Sequence, residues 1–291
     1  MCLVWGLTWW PAKVGAAHVP PIVLAAARFT VAGALMLVWA GRDALAVPRS
    51  AHGRLLATAL LVNTGNYALL FWGIARAPTG LAAVVNFATI PVFSLVASRV
   101  LEREPIGARR VAAIVLGILG LALLFATRAG AAGSPVAGGD ELVGLAAIAL
   151  GTLLYCVGAV LSRPIAAVMP VLTLAGWQTL LGGAGLVALA LALEPVGPPQ
   201  LRELVRWPTL PALAFLVVAG SLAGFTIYLR LLRDWGAFRA GLYAFVSPGI
   251  AVAVGVVVLG ERFGWVEVAG GVVMFAAAAI AFAPPPGSRE R

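Results

Sequence analysis

Charge is scarce in this chain. Of 291 residues only 11% are Asp, Glu, Lys or Arg, against roughly 25% in soluble domains. Apolar residues make up 62%, and mean hydropathy is +1.02. That shortage excludes an ordinary soluble domain and marks an all-α polytopic membrane protein. The eleven acids (Asp43, Glu102, Glu104, Asp140, Glu141, Glu194, Glu203, Asp234, Glu261, Glu267 and Glu290) all fall in loops or at the edges of apolar runs. Only two histidines occur, His18 and His52, in separate loops, and two cysteines, Cys2 and Cys156, in different apolar runs. This leaves no histidine-based zinc or catalytic site, no disulfide framework and no metal cluster. No cofactor is expected, and a membrane enzyme would need carboxylates, histidines or a metal at the membrane face. The net charge of +9 has no soluble face on which to cluster, so a nucleic-acid partner is not expected either.

What the chain has instead is long apolar runs. A spanning helix needs about 20 mostly apolar residues, and that ruler places ten spans at about 2–18, 21–41, 54–75, 80–99, 110–127, 141–162, 171–193, 209–230, 236–260 and 264–283. The first span is short and starts almost at residue 1, which leaves room for a longer native N-terminus. It lacks a basic leader and a small-residue cleavage site, so it does not read as a cleaved signal peptide. Residues 128–140 (RAGAAGSPVAGGD) form a polar, small-residue seam between a first five-helix unit, 1–127, and a second, 141–283, with a tail at 284–291. With the N-terminus inside, the loops and tail on that side hold thirteen arginines and the opposite loops five. This positive-inside bias puts both termini in the cytoplasm and the chain in the cytoplasmic membrane.

The second half restates the first. Gly80 to Glu104 carries Pro91, with Glu104 thirteen residues later; 157 positions on, Pro248 is followed at the same distance by Glu261. At that offset Ala83 meets Ala240, Asn86 meets Tyr243, and Val100–Leu101 meet Val257–Val258. An odd number of spans per half makes the two copies inverted. Inverted repeats are the architecture of alternating-access transporters, with substrate bound near mid-membrane between the halves.

These strings resemble the ten-helix exporters of the drug/metabolite transporter superfamily, built from two EamA-like units. Trp5, Gly6 and Lys13 in the first span, Leu24–Phe29 (LAAARF) in the second, Pro91 with Glu104, and AGLYAFVSPGIAVAVGVVVLGE in the second half carry the resemblance. The first half departs from it in ending VLERE, with Glu102 added. The resemblance implies a facilitator or antiporter for small metabolites, often amino acids and mostly in the export direction. It also implies a central cavity lined by spans 1, 3, 4, 6, 8 and 9, with spans 5 and 10 peripheral and available for a homodimer.

Two cations lie within spans, Lys13 and Arg28. Such groups usually face a pathway or a partner; the alternative is that each reaches the interface or the C-terminal carbonyls of a helix. Lys13 is the only lysine beside nineteen arginines, which favours it as a substrate-binding group, with Arg28 assigned to structure. Asn63, Asn66 and Tyr67 fall at i, i+3, i+4 and share a helical face. Together with Trp9, Asn86, Tyr155, Tyr228, Tyr243 and Ser247 they form the candidate substrate-binding set; the alternative for each polar group is hydrogen bonding between helices. Pro91 and Pro248 remove a backbone donor in mid-span and are candidate gating hinges. Glu104 and Glu261 are placed to cap the helices that follow them, a structural role. The expected function is a secondary transporter, not an enzyme, for small neutral, zwitterionic or anionic metabolites. A sugar-phosphate or nucleotide-sugar antiporter and a drug efflux protein are the alternatives.

Overall fold

The computed structural model describes residues 1–103, 107–108, 111–112, 115–120, 139–224, 227, 243–261 and 264–282. Within these, the side chains of Pro91, 243–246, Pro248 and several positions of the last helix are left aside. All regular structure among the described residues is helical: α1 (Cys2–Leu7), α2 (Trp9–Ala16), α3 (Pro21–Ala40), α4 (His52–Ala59), α5 (Asn66–Arg76), α6 (Thr79–Glu102), α7 (Gly139–Ala166), α8 (Val171–Leu193), α9 (Pro198–Glu203), α10 (Thr209–Phe215), α11 (Tyr243–Leu259) and α12 (Trp265–Phe282). Helix is present at each of the ten expected spans, the fifth being described mainly over 115–120. Most of the expected 128–140 linker lies outside the described residues, and Gly139 and Asp140 already belong to α7.

Three prolines stand at helix starts, where a missing N–H does no harm. Pro21 opens α3, and Pro78 and Pro170 stand just before α6 and α8; a fixed φ suits a helix start. The first span breaks at Thr8 because Pro11 has no N–H for the Leu7 carbonyl, and the Thr8 hydroxyl turns back on the Trp5 carbonyl at 2.7 Å. Two further interruptions are wide π turns, Leu60–Gly65 between α4 and α5 and Leu216–Ala223 after α10. They recur at the repeat offset and place Thr64 and Ser221 at equivalent points. Such turns concentrate at functional sites.

The halves meet where α3 crosses α8. Without a hydrophobic driving force inside lipid, helices associate through close packing at small residues. A Cβ added to Gly33 would stand 2.5 Å from the Leu180 nitrogen, and one added to Gly183 would stand 2.7 Å from the Thr30 nitrogen. Shifting Gly33 by 150 positions gives Gly183, and the same shift takes Thr30 to Leu180. Gly176 packs against the Leu37 side chain, where a Cβ would stand 2.7 Å from Cδ2. Contacts that pair 30 with 183, 33 with 180 and 37 with 176 run antiparallel, and the first two exchange under the repeat. Two inverted copies related by a two-fold axis produce that pattern.

The orphan N–H groups at helix starts, which membrane burial makes costly, are satisfied from the opposite half. Glu194, just after α8, accepts from Ile22 N at 3.0 Å and Val23 N at 2.9 Å. Glu261, just after α11, accepts from Thr79 N at 2.5 Å and Gly80 N at 3.0 Å. The expectation that Glu261 caps the helix following it is therefore corrected. The chain turns at Gly260, where φ is +67°, and the carboxylate reaches the start of α6. Glu104 lies outside the described residues.

Candidate functional site

The first span, α3, α5, α6, α7 and the second π turn enclose a cavity of about 200 Å3. Pockets for drug-sized ligands run to about 300–1,000 Å3, so this one suits a small metabolite. Its walls are largely aromatic. Trp5 and Trp9 come from the first span, Phe29 from α3, Tyr67 and Phe71 from α5, and Phe87 from α6. Trp9 is buried and meets Phe87 edge-on, with centroids 5.8 Å apart. Trp5 is held by its indole N–H, which donates to the Gly220 carbonyl at 3.0 Å.

Among the described lining residues Arg28 is the one charged group. It is buried, and its Nε donates to Ser221 Oγ at 3.3 Å. Its Cζ lies 4.9 Å from the centroid of Phe29, 5.9 Å from Tyr67 and 6.0 Å from Phe71. Ring faces stabilise a cation by about 0.5–2 kcal/mol each, which offsets part of its desolvation. No carboxylate pairs with it among the described residues. Asn66 and Asn86 add amides and Tyr155 a phenol. Thr152 Oγ1 lies 3.0 Å from Asn86 Oδ1 and 2.9 Å from the Ile148 carbonyl, two acceptors for its one proton, which ties the Asn86 amide to α7.

The structure divides the sequence-derived set. Trp9, Asn66, Tyr67, Asn86 and Tyr155 come together in the cavity. Lys13 does not line it. Its ammonium donates to the carbonyls of Ile74 and Ala77 at 2.7 Å each and Ala75 at 3.5 Å, closing the C-terminus of α5 as a cation does for exposed helix carbonyls. Asn63 also leaves the set: its amide donates to the Gln178 carbonyl at 3.0 Å. The π turn rotates Asn63 off the face shared by Asn66 and Tyr67, so the i, i+3 relation fails. Ser247 is fully buried and donates to the Cys2 carbonyl at 3.2 Å, joining α11 to α1. The backbone is helical through Pro91 and Pro248. Tyr228 and the side chain of Tyr243 lie outside the described residues.

Two placements differ from the expectation. The cation given to substrate, Lys13, is taken up by helix carbonyls, and the cation given to structure, Arg28, faces the cavity. Depth in the membrane did not separate them, and the scarcity of lysine decided the expectation; which face of its helix each occupies depends on packing that a list of polar positions does not contain. Thr8, Phe71 and Phe87 line the cavity without having been singled out, and Trp5 and Phe29, named above only for the resemblance, line it too. The signal available for them was proximity to Arg28 and Trp9 along the chain and along helical faces.

Comparison with known proteins points to a transporter family. The model of the EamA-like transporter family matches residues 1–126 and 142–283. An inner membrane transporter of Escherichia coli K12, YedA, described as uncharacterized, is 28% identical over 94% of this chain and 86% of that protein. A probable amino-acid metabolite efflux pump of Salmonella typhimurium is 27% identical over 94% and 89%, and the protein PecM of Dickeya dadantii is 27% identical over 94% and 87%. A solved crystal structure shares the fold at a TM-score of 0.58, with 21% identity and coverage of 96% of this chain and 92% of that one. On the family match over both halves, the chain belongs to the EamA-like transporter family and is a multi-pass membrane transporter.

Proposed function

We propose that this transporter exports small amino-acid-like metabolites, neutral, zwitterionic or anionic, across the cytoplasmic membrane by alternating access. The observation that carries this reading is the cavity itself: it is bounded by helices of both inverted halves and contains one buried cation and no acid among its described residues. On this reading the end bearing Ile22, Thr79, Glu194 and Glu261 faces outward, where the two cross-half carboxylate caps hold it shut. The resemblance to a relative named as an amino-acid metabolite efflux pump favours the same class of cargo.

Charge separates this reading from drug efflux. Carriers of organic cations stabilise them with a buried anion, whereas a quaternary ammonium entering here would meet Arg28 in a medium of low dielectric. Purified protein in liposomes is expected to move amino-acid-like compounds and to leave a quaternary ammonium dye at the rate of protein-free liposomes. Robust dye flux would contradict the proposed substrate class and restore drug efflux.

A further inference from the structure

Arginine carries five N–H donors and no acceptor. In Arg28 the structure commits Nε, to Ser221 Oγ at 3.3 Å, and surrounds the rest of the group with the rings of Phe29, Tyr67 and Phe71. Ser221 is itself fixed, its hydroxyl donating to the Leu216 carbonyl at 3.2 Å across the π turn. Gly220 keeps the flank clear: a Cβ there would stand 3.2 Å from Arg28 Nη2 and 2.8 Å from Thr8 Cγ2. The plane of the guanidinium is thus held from its Nε side, while the Nη pair makes no hydrogen bond to any described residue.

The repeat supplies an internal comparison. The shift of 150 positions that relates Gly33 to Gly183 takes Arg28 to Gln178. Gln178 is engaged through its amide nitrogen: Nε2 donates to Thr58 Oγ1 and to Ser162 Oγ, each at 2.8 Å. Where the fold needs a polar bridge at this position it uses a neutral amide whose two N–H donors both have partners in place. The cation at the other copy has one hydroxyl and an open fork. A buried charge without a counter-ion is costly, and such groups in membranes mark pathways.

The Nη fork matches a carboxylate in plane and spacing. One positive charge balances one carboxylate, whereas a phosphate monoester carries about −1.5 to −2 at neutral pH. Beyond the fork the walls are Trp5, Trp9, Phe87 and Ile90, surfaces for an apolar body. We infer that Arg28 is the receptor for the carboxylate of the transported ligand, oriented by Ser221, and that the cavity selects small monocarboxylates with an apolar body. This rests on the transport reading above and adds to it the group that the site recognises.

The test uses five probes on the purified full chain: L-leucine, L-leucinamide, 4-methylpentanoate, 4-methylpentanamide and glycerol 3-phosphate. Binding is read by ligand-dependent thermal shift and movement by liposome flux. Within each acid–amide pair the acid should bind at least about tenfold more tightly, as expected where a site built for hydrogen bonding loses its partner. Arg28→Gln should abolish that preference and Ser221→Ala should reduce it. Should Arg28→Gln fail to fold, the wild-type pairs and Ser221→Ala decide the matter. Equal binding of acid and amide by wild type, or a preference that survives Arg28→Gln, overturns the assignment. So does tighter binding of glycerol 3-phosphate than of either acid. A carboxylate preference in binding with no flux of any probe supports the receptor and contradicts the transport reading; flux with no carboxylate preference does the reverse.

Discussion

Gly33→Ala is expected to remove most of the folded protein, whereas Gly53→Ala leaves its yield and thermal midpoint at or above wild type. Both replacements add one methyl to a helix, and in an open position that favours the helix by about 0.5–1 kcal/mol. At Gly53 nothing stands within 4 Å of the new atom. At Gly33 the new atom would lie 2.5 Å from the Leu180 nitrogen and 2.7 Å from its Cα. Side chains can yield to overpacking at about 1–3 kcal/mol, but here the obstacle is backbone, so α3 and α8 must separate along the axis that joins the halves. Fluorescence-detected size exclusion and a thermal ramp measure both variants. Equal behaviour of the two would contradict the crossing described above.

The second large effect concerns the carboxylate that bridges the halves. Glu261→Ala strips the acceptor from Thr79 N and Gly80 N, and two charge-assisted bonds of this kind contribute about 3 kcal/mol together. Lys13→Met removes the matching cation from the α5 carbonyls at the same end. Both variants should melt earlier than wild type, and ligand affinity per folded molecule should be retained, because neither side chain lines the cavity. Unchanged stability with a selective loss of affinity in Lys13→Met would return Lys13 to the substrate site.

Much of the architecture was legible because lipid imposes a simple rule. Backbone groups must be satisfied within the segment, so apolar runs of helical length are spans, and the Pro91/Pro248 and Glu104/Glu261 pairs disclosed the inverted duplication. The cavity was less legible. Trp9, Asn66, Tyr67, Asn86 and Tyr155 were identified by polarity, aromaticity and spacing, and they do converge. Lys13 and Asn63 fall outside the cavity lining, their partners being backbone carbonyls, the first at the end of a neighbouring helix and the second at Gln178. Main-chain acceptors leave no trace in residue identity. The π turns had no sequence signature beyond Thr64 echoing Ser221, and it is the turn at Leu60–Gly65 that breaks the face on which Asn63 was placed. The reach of Glu261 to α6 was hidden for a further reason: it joins residues more than 180 positions apart, and only the closure of one half on the other brings them together.

Alternating access through the cavity is the central claim, and counterflow measures it most directly. Liposomes containing the protein are loaded with a high concentration of the best-bound compound of the five-probe panel and diluted into a trace of the same compound in radiolabelled form. A carrier whose cavity opens to one side at a time returns to the outside loaded and exchanges labelled for unlabelled ligand. The account predicts a transient accumulation of label above its equilibrium level, absent from unloaded liposomes. A steady approach to equilibrium at one rate regardless of internal loading, or no entry above protein-free liposomes, would contradict it.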